Sequence, residues 1–152
     1  MWAAGAKLNA LAMQTFKIKT YRDGMKAEKP HFYILSKGNN AGKPLENPCP
    51  NCFLVTTPCE NSKEQIFWLA YGLWQGKCFH EYLSGSVITF IRIKHVKNLL
   101  ETSLRKAQSR EDKFTKSIAM LKGFEENTKI LKLQLDLMER VKRAVVWEVL
   151  RE

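Results

Sequence analysis

No stretch of this 152-residue chain approaches the roughly 18–20 uninterrupted apolar residues that a membrane-spanning helix requires, so no membrane span is expected. The start, MWAAGAKLNALAMQTF, carries one early lysine and an interrupted apolar run. A secretory signal needs a basic segment ahead of a solid apolar stretch. A cytoplasmic protein is expected instead, with residues 1–13 an N-terminal extension and Met13 an alternative start. Low-complexity tracts and internal repeats are absent too. At 45% hydrophobic and 11% aromatic residues, the chain is not the apolar-poor composition of a disordered polymer. Its length fits one domain with an appended helical part.

Catalytic patterns are missing as well. Histidine occurs three times, as His31, His80 and His95, and none stands in a catalytic spacing; His80-Glu81 lacks the second histidine of a zinc-protease helix. The acids are scattered beside lysines, and no carboxylate pair flanking a cleft can be picked out. SKGNNAGKPL (36–45) is not a phosphate loop. Only three residues separate Gly38 from Gly42, where a phosphate loop has four, and Lys43 is followed by Pro44 where a hydroxyl should hold magnesium. No enzyme is expected.

Four cysteines are present, and a reducing compartment would keep them as thiols. Cys49-x2-Cys52 has the knuckle spacing of a zinc site, but a ribbon's second knuckle is absent. Zinc is expected only if Cys49, Cys52, Cys59 and Cys78 (or His80) come together; otherwise no cofactor is expected. The redox reading is weaker, because Cys-Pro-Asn-Cys feeds the strand-like CFLVTT and not a helix N-terminus.

What is abundant is positive charge, a formal net +10. Residues 1–50 carry eight Lys/Arg against three acids, 51–91 two against three, 92–122 nine against three, and 123–152 six against six. Two basic blocks thus flank a nearly neutral, aromatic-rich centre. Such a field suits a polyanion, nucleic acid first. Arg92, Lys94, Lys97, Arg105, Lys106 and Arg110, with Lys37 and Lys43 of the glycine-containing loop, are the expected phosphate contacts, giving salt-sensitive and sequence-independent binding. A solvated helix face is the competing reading. The aromatics Phe67, Trp68, Tyr71, Trp74, Phe79 and Tyr82 lie in the least basic segment at helical spacing, and read as core or interface.

Periodicity predicts the elements. QTFKIKTY (14–21) alternates as a half-buried strand, while HFYILS (31–36) and CFLVTT (52–57) read as two more. NSKEQIFWLAYGLWQG (61–76) switches to helical period through Ile66, Leu69, Ala70, Leu73 and Trp74, with Ser62 and Gln65 as a capping box. SGSVITFIRIKHV (84–96), apolar on both faces, predicts a strand in a sheet interior or under covering helices. From about Lys97 onward there is no proline, and Gly123 is the only glycine. Helices follow, with a break or kink at GFEENT (123–128) and a broad apolar face from Ile130 to Val149. That face packs on a core, closes a hairpin with 98–122, or meets a second copy. The fold class is therefore α+β: a small mixed or antiparallel sheet packed by one aromatic-rich helix, then a long C-terminal helical hairpin or arm. The expected organisation is an extension over 1–13, an α+β core over 14–97 and a helical region over 98–152.

Taken together, HFYILSKGNNAGKPLENPCPNCFLV, FWLAYGLWQGK and YLSGSVITFIRIKHV resemble a family of small uncharacterised proteins from Bacteroides-type gut bacteria and their mobile elements, over about residues 14–100. That resemblance supplies no catalytic residue. GSVITFIRIKHVKNLL also resembles the target-recognition halves of type I restriction specificity subunits, in which an aromatic-rich helix precedes a short strand and a long helix follows. This second resemblance implies DNA as partner. The expected function is a basic, non-enzymatic, nucleic-acid-associated protein. The alternative is an interaction or homo-oligomerisation module working through the C-terminal apolar face, and a small zinc-stabilised adaptor comes third.

Overall fold

Residues 16–151 are described by a computed structural model; the extension expected over 1–13 lies outside them. Strands β1 (Lys17–Thr20), β2 (His31–Leu35), β3 (Pro44–Leu45) and β4 (Cys52–Thr56) form an antiparallel sheet in the order β1-β4-β2-β3. The register puts Ile18, Val55 and Phe32 in one row and Phe53 beside Ile34. Because side chains alternate along a strand, these residues share one face, while Lys17, Lys19, Leu54 and Tyr33 share the other.

The apolar face is covered by helix α1 (Glu60–Gln75) and helix α2 (Ile93–Gln108). Ile66 and Ala70 from α1, and Val96, Leu100 and Leu104 from α2, meet Phe32, Ile34, Phe53 and Val55 in one core that also holds Phe79. Each buried Val, Leu, Ile or Phe side chain among them contributes about 1.5–3 kcal/mol. A smaller cluster of Tyr33, Cys52 and Leu54 forms on the opposite face, beneath Tyr21, Met25, Ala27 and Leu45. The connector 22–30 thus runs back over the sheet instead of leaving it.

Three expectations about elements are corrected. First, α1 starts at Glu60 with Cys59 as N-cap, so Ser62 is a buried residue of the first turn and not the cap. Second, 84–96 is not one interior strand. Leu83–Ser84 (β5) and Phe90–Ile91 (β6) pair as a short ribbon, and Val87 between them is 94% exposed. Gly85 at φ +104° turns the chain there, and α2 begins at Ile93 because Val96, Leu100 and Leu104 obey the helical period. Third, the helix does not break at 123–128. Helix α3 (Glu111–Val149) is continuous, and Gly123, with open space around it, costs about 1 kcal/mol in propensity without breaking it. The interruption falls at Ser109 and Arg110, where the Ser109 hydroxyl donates to the Lys106 carbonyl at 2.8 Å. Glu111 and Asp112 then favour the start of α3 through the helix dipole.

The contacts divide the chain into two units, Met1–Thr115 and Lys116–Glu152. The first holds the sheet, α1 and α2; the second is the greater part of α3. Among the described residues no helix is long and apolar enough to cross a membrane.

Candidate functional site

The loop 36–43 is a tightly pinned corner. The Gly42 N–H donates to the Leu35 carbonyl at 2.7 Å, and Leu35 N–H to the Lys43 carbonyl at 2.9 Å. The Gly38 N–H reaches the Thr89 carbonyl at 2.7 Å, and Ile91 N–H the Ser36 carbonyl at 2.9 Å. Pro44 then enters the edge strand β3, a position where its missing N–H is tolerated. Gly42 has φ +96°, and a Cβ there would lie 2.4 Å from the Phe79 ring. The loop is therefore a joint between the sheet and the β5–β6 ribbon, not a phosphate cradle.

The cysteines do not converge. The Cys52 thiol donates to the Cys49 carbonyl at 2.9 Å. Burial, the leading cause, pushes that thiol up to about 11. Cys59 lies beside Ser62, 3.2 Å from sulfur to hydroxyl, and that hydrogen bond holds its thiol below the ordinary value. Cys78 is exposed. Among the described residues no group of three or more His, Cys, Asp or Glu side chains is placed to hold a metal ion.

The expected phosphate contacts are partly gathered. Lys37 forms a β-bridge with Phe90, two residues before Arg92, so the two basic blocks meet there. Arg92, Lys94 and Lys97 open α2 with no acid in its first turn. A helix N-terminus carries partial positive charge, so these cations add to a field that attracts anions. Lys97 makes an exposed ion pair with Glu101 at 3.8 Å, a contact worth little. Arg105 and Lys106 sit in the last turn of α2, about 20 Å along the helix from Arg92, where cations suit the dipole. Arg110 is exposed in the turn before α3. Lys43 is separate from these, stacked over the Trp74 ring at 5.1 Å.

Reasoning from sequence missed a second basic surface. Lys17 and Lys19 of β1 and Lys26 and Lys29 of the connector line a cleft of about 330 Å³ floored by Leu54, Thr56, Met25 and Ala27. Among the described residues Glu28 is the one acid lining it. His31 Nδ1–H donates to the Lys29 carbonyl at 2.8 Å, and the Thr57 N–H donates to the Pro30 carbonyl at 2.9 Å. These bonds hold the end of the connector against the sheet.

A cavity of about 550 Å³ opens near the start of α1, lined by Glu46, Glu60, Glu64, Lys63, Phe67 and Trp68. Glu60 is paired with Lys63 at 3.6 Å, and an acid in the first turn of a helix is favoured by the dipole. That explains Glu60 structurally. Phe67, Trp68, Tyr71 and Trp74 follow as a ladder of tilted and edge-on ring contacts with centroids 5.1–5.8 Å apart. All four are half-buried along α1, as expected for a packed helix face.

The second unit presents a different chemistry. Every described residue from Lys129 onward is exposed. Phe124, Leu131, Met138 and Val145 recur every seven residues, flanked by Ile130, Leu135, Leu137, Val141 and Val149. These nine side chains are between 49% and 71% exposed. No other described residue covers the face beyond Lys129.

The chain belongs to the family of unknown function DUF6943, whose model matches residues 18–148. No curated protein and no solved structure matches it.

Proposed function

We propose that this member of a family of unknown function is an interaction module that self-associates through the apolar face of α3. The observation that carries this is the uncovered stripe from Phe124 to Val149. Monomeric proteins rarely leave contiguous apolar patches of more than a few hundred Å². Nine side chains at roughly 100 Å² each offer nearly 1,000 Å² per copy, against the ~800 Å² per partner of a standard interface. A second copy suits the face, because residues 123–152 balance six basic against six acidic groups and self-pairing brings no net repulsion. Asn127 and Gln134 fall inside the stripe, where buried polar groups set register at some cost in stability. The width, with apolar residues on both sides of the seven-residue repeat, exceeds a two-stranded seam and favours more than one neighbouring helix.

Multi-angle light scattering on the chain at about 50 µM tests this. An assembly of at least twice 17.6 kDa is expected, and Leu131→Glu with Met138→Glu should return it to monomer while retaining a folded first unit. A wild-type monomer at that concentration would refute it.

A second reading, association with nucleic acid through Lys37, Arg92, Lys94 and Lys97, is favoured by one observation. These cations gather around an α2 N-terminus that lacks acids. Their contacts would be to phosphate and independent of sequence.

A further inference from the structure

The geometry points to a binding site for the sugar-phosphate backbone of a single-stranded nucleic acid in the cleft between β1 and the connector 22–30. Four ammonium groups, those of Lys17, Lys19, Lys26 and Lys29, line about 330 Å³ in the company of one carboxylate, Glu28. Some helical lysines sit beside an acid one turn away, as Lys63 does with Glu60, Lys97 with Glu101 and Lys142 with Glu139. None of the four cleft lysines makes an ion pair with another described residue. Holding like charges together without a counter-charge is unfavourable, and an anion entering between them relieves it.

The cleft has two basic walls. Lys17 and Lys19 lie on one face of β1, opposite Thr56 and Leu54 of β4, and alternate strand residues on one face repeat at about 7 Å. That is close to the separation of successive phosphates in an extended strand. Lys26 and Lys29 come from the connector, which is fixed at both ends. Tyr21 N–H donates to the Cys52 carbonyl at 3.0 Å, and Thr57 N–H to the Pro30 carbonyl at 2.9 Å. Met25 and Ala27 face the sheet, so Lys26 is turned outward. Lysines on an outer strand commonly serve to blunt a sheet edge. That accounts for Lys17 and Lys19 but not for two more arriving from a different segment. The site has no arginine for bidentate base recognition, and Tyr33 beneath the connector is buried. The backbone is therefore the group recognised, without base stacking or sequence preference. Flanking walls suit a single strand better than the convex surface of a duplex.

This site shares no residue with the α3 face or with the cations of α2, so each reading fails on its own evidence. Fluorescence polarisation with a labelled fifteen-residue oligo-dT, between 50 and 200 mM salt, tests it. The variant Lys17→Gln, Lys19→Gln, Lys26→Gln, Lys29→Gln should bind at least tenfold more weakly than wild type. Its log–log salt slope should be shallower by about 3, as expected for four lost phosphate contacts on a single strand. The charge-matched variant Lys63→Gln, Lys77→Gln, Lys129→Gln, Lys132→Gln, at residues outside both basic sites, should change affinity less than threefold, with both variants keeping the wild-type melting temperature within a few degrees. The proposal is overturned if wild type fails to bind at 100 µM and 50 mM salt, or if the two variants lose affinity equally. Displacement by polyglutamate of matched charge as effective as by unlabelled oligo-dT, or tighter binding of a duplex, overturns it as well.

Discussion

Replacing Gly42 by alanine should destabilise the first unit by about 2–5 kcal/mol, and the size can be built from two separate penalties. The backbone at φ +96° is one that an L side chain adopts at a cost of about 1–2 kcal/mol. The added methyl would then lie 2.4 Å from Phe79 Cδ2 and 2.6 Å from its Cγ. Phe79 cannot retreat into solvent, because it is fully buried among the core residues. Overpacking a close-packed core costs about 1–3 kcal/mol. Gly38 is the internal control. It has φ +87° and nothing within 4 Å of a built Cβ, so Gly38→Ala bears the backbone penalty alone. Urea denaturation followed by circular dichroism should place Gly42→Ala below Gly38→Ala by about 1–3 kcal/mol. Phe79→Leu, which costs stability in the wild-type background, should cost less in the Gly42→Ala background, with a coupling of at least ~0.5 kcal/mol. Equal destabilisation by the two glycine replacements, or strict additivity with Phe79→Leu, would refute the proposed collision.

Two other substitutions probe features that the sequence alone left ambiguous. Val87→Asp should alter unfolding stability by no more than about 0.5 kcal/mol, because Val87 is 94% exposed; loss of folding would restore the interior-strand reading of 84–96. The Cys52 thiol, raised by burial from 9.0 to about 11, should resist alkylation of the native protein at pH 8, while Cys59, whose thiol is lowered, reacts first among the sites compared. The sign for stability follows from the same shift. The unfolded thiol ionises near 9 and the folded one only near 11, so its contribution is whole below about pH 9 and is lost as pH rises toward 11. Urea midpoints measured from pH 8 to 11 should fall, and Cys52→Ala should flatten part of that fall; an identical slope in the variant would sink the assignment.

What was legible in the sequence was whatever depended on period. Phe32 and Ile34, Phe53 and Val55, and Ile66 with Ala70 each occupy core faces at the spacing of two or of three to four that the pattern implied. Where one apolar run satisfied both periods, pattern alone could not arbitrate. SGSVITFIRIKHV fills both faces of a strand, yet its second half satisfies a helix through Val96 and Leu100. The turn at Gly85 decides between them, because a Cβ there would stand 2.4 Å from the Ile88 carbonyl oxygen. The serine-glycine-serine run was the available signal for it. Cys59 escaped notice as the N-cap because Ser62, three residues on, has the side chain that usually caps. Ser62 is instead buried, with its hydroxyl 3.2 Å from the Cys59 sulfur.

The lysine cleft was illegible for a reason of topology. Lys17 and Lys19 are visible as the outward residues of an alternating strand, and Lys26 and Lys29 as charges in a turn-rich connector. Charge counting therefore put all four into one basic block without giving them a common position. They become neighbours only because Met25 and Ala27 bury themselves against Leu54 and Tyr33, folding the connector back across the sheet. Two apolar side chains with period-two spacing inside an apparent loop were the only local trace of that packing. The more conspicuous segment of the sequence is SKGNNAGKPLENPCPNC, whose glycines, prolines and cysteines suggest chemistry. Its Gly42 and Ala41 are committed to the core beside Phe79, Pro44 to an edge strand, and Lys43 to Trp74. Apart from Lys37, a segment so occupied with holding the sheet has little left to offer a ligand. The cleft lysines take part in no such core contact, and Lys26 and Lys29 blunt no sheet edge, so the four together are the stronger candidates for binding.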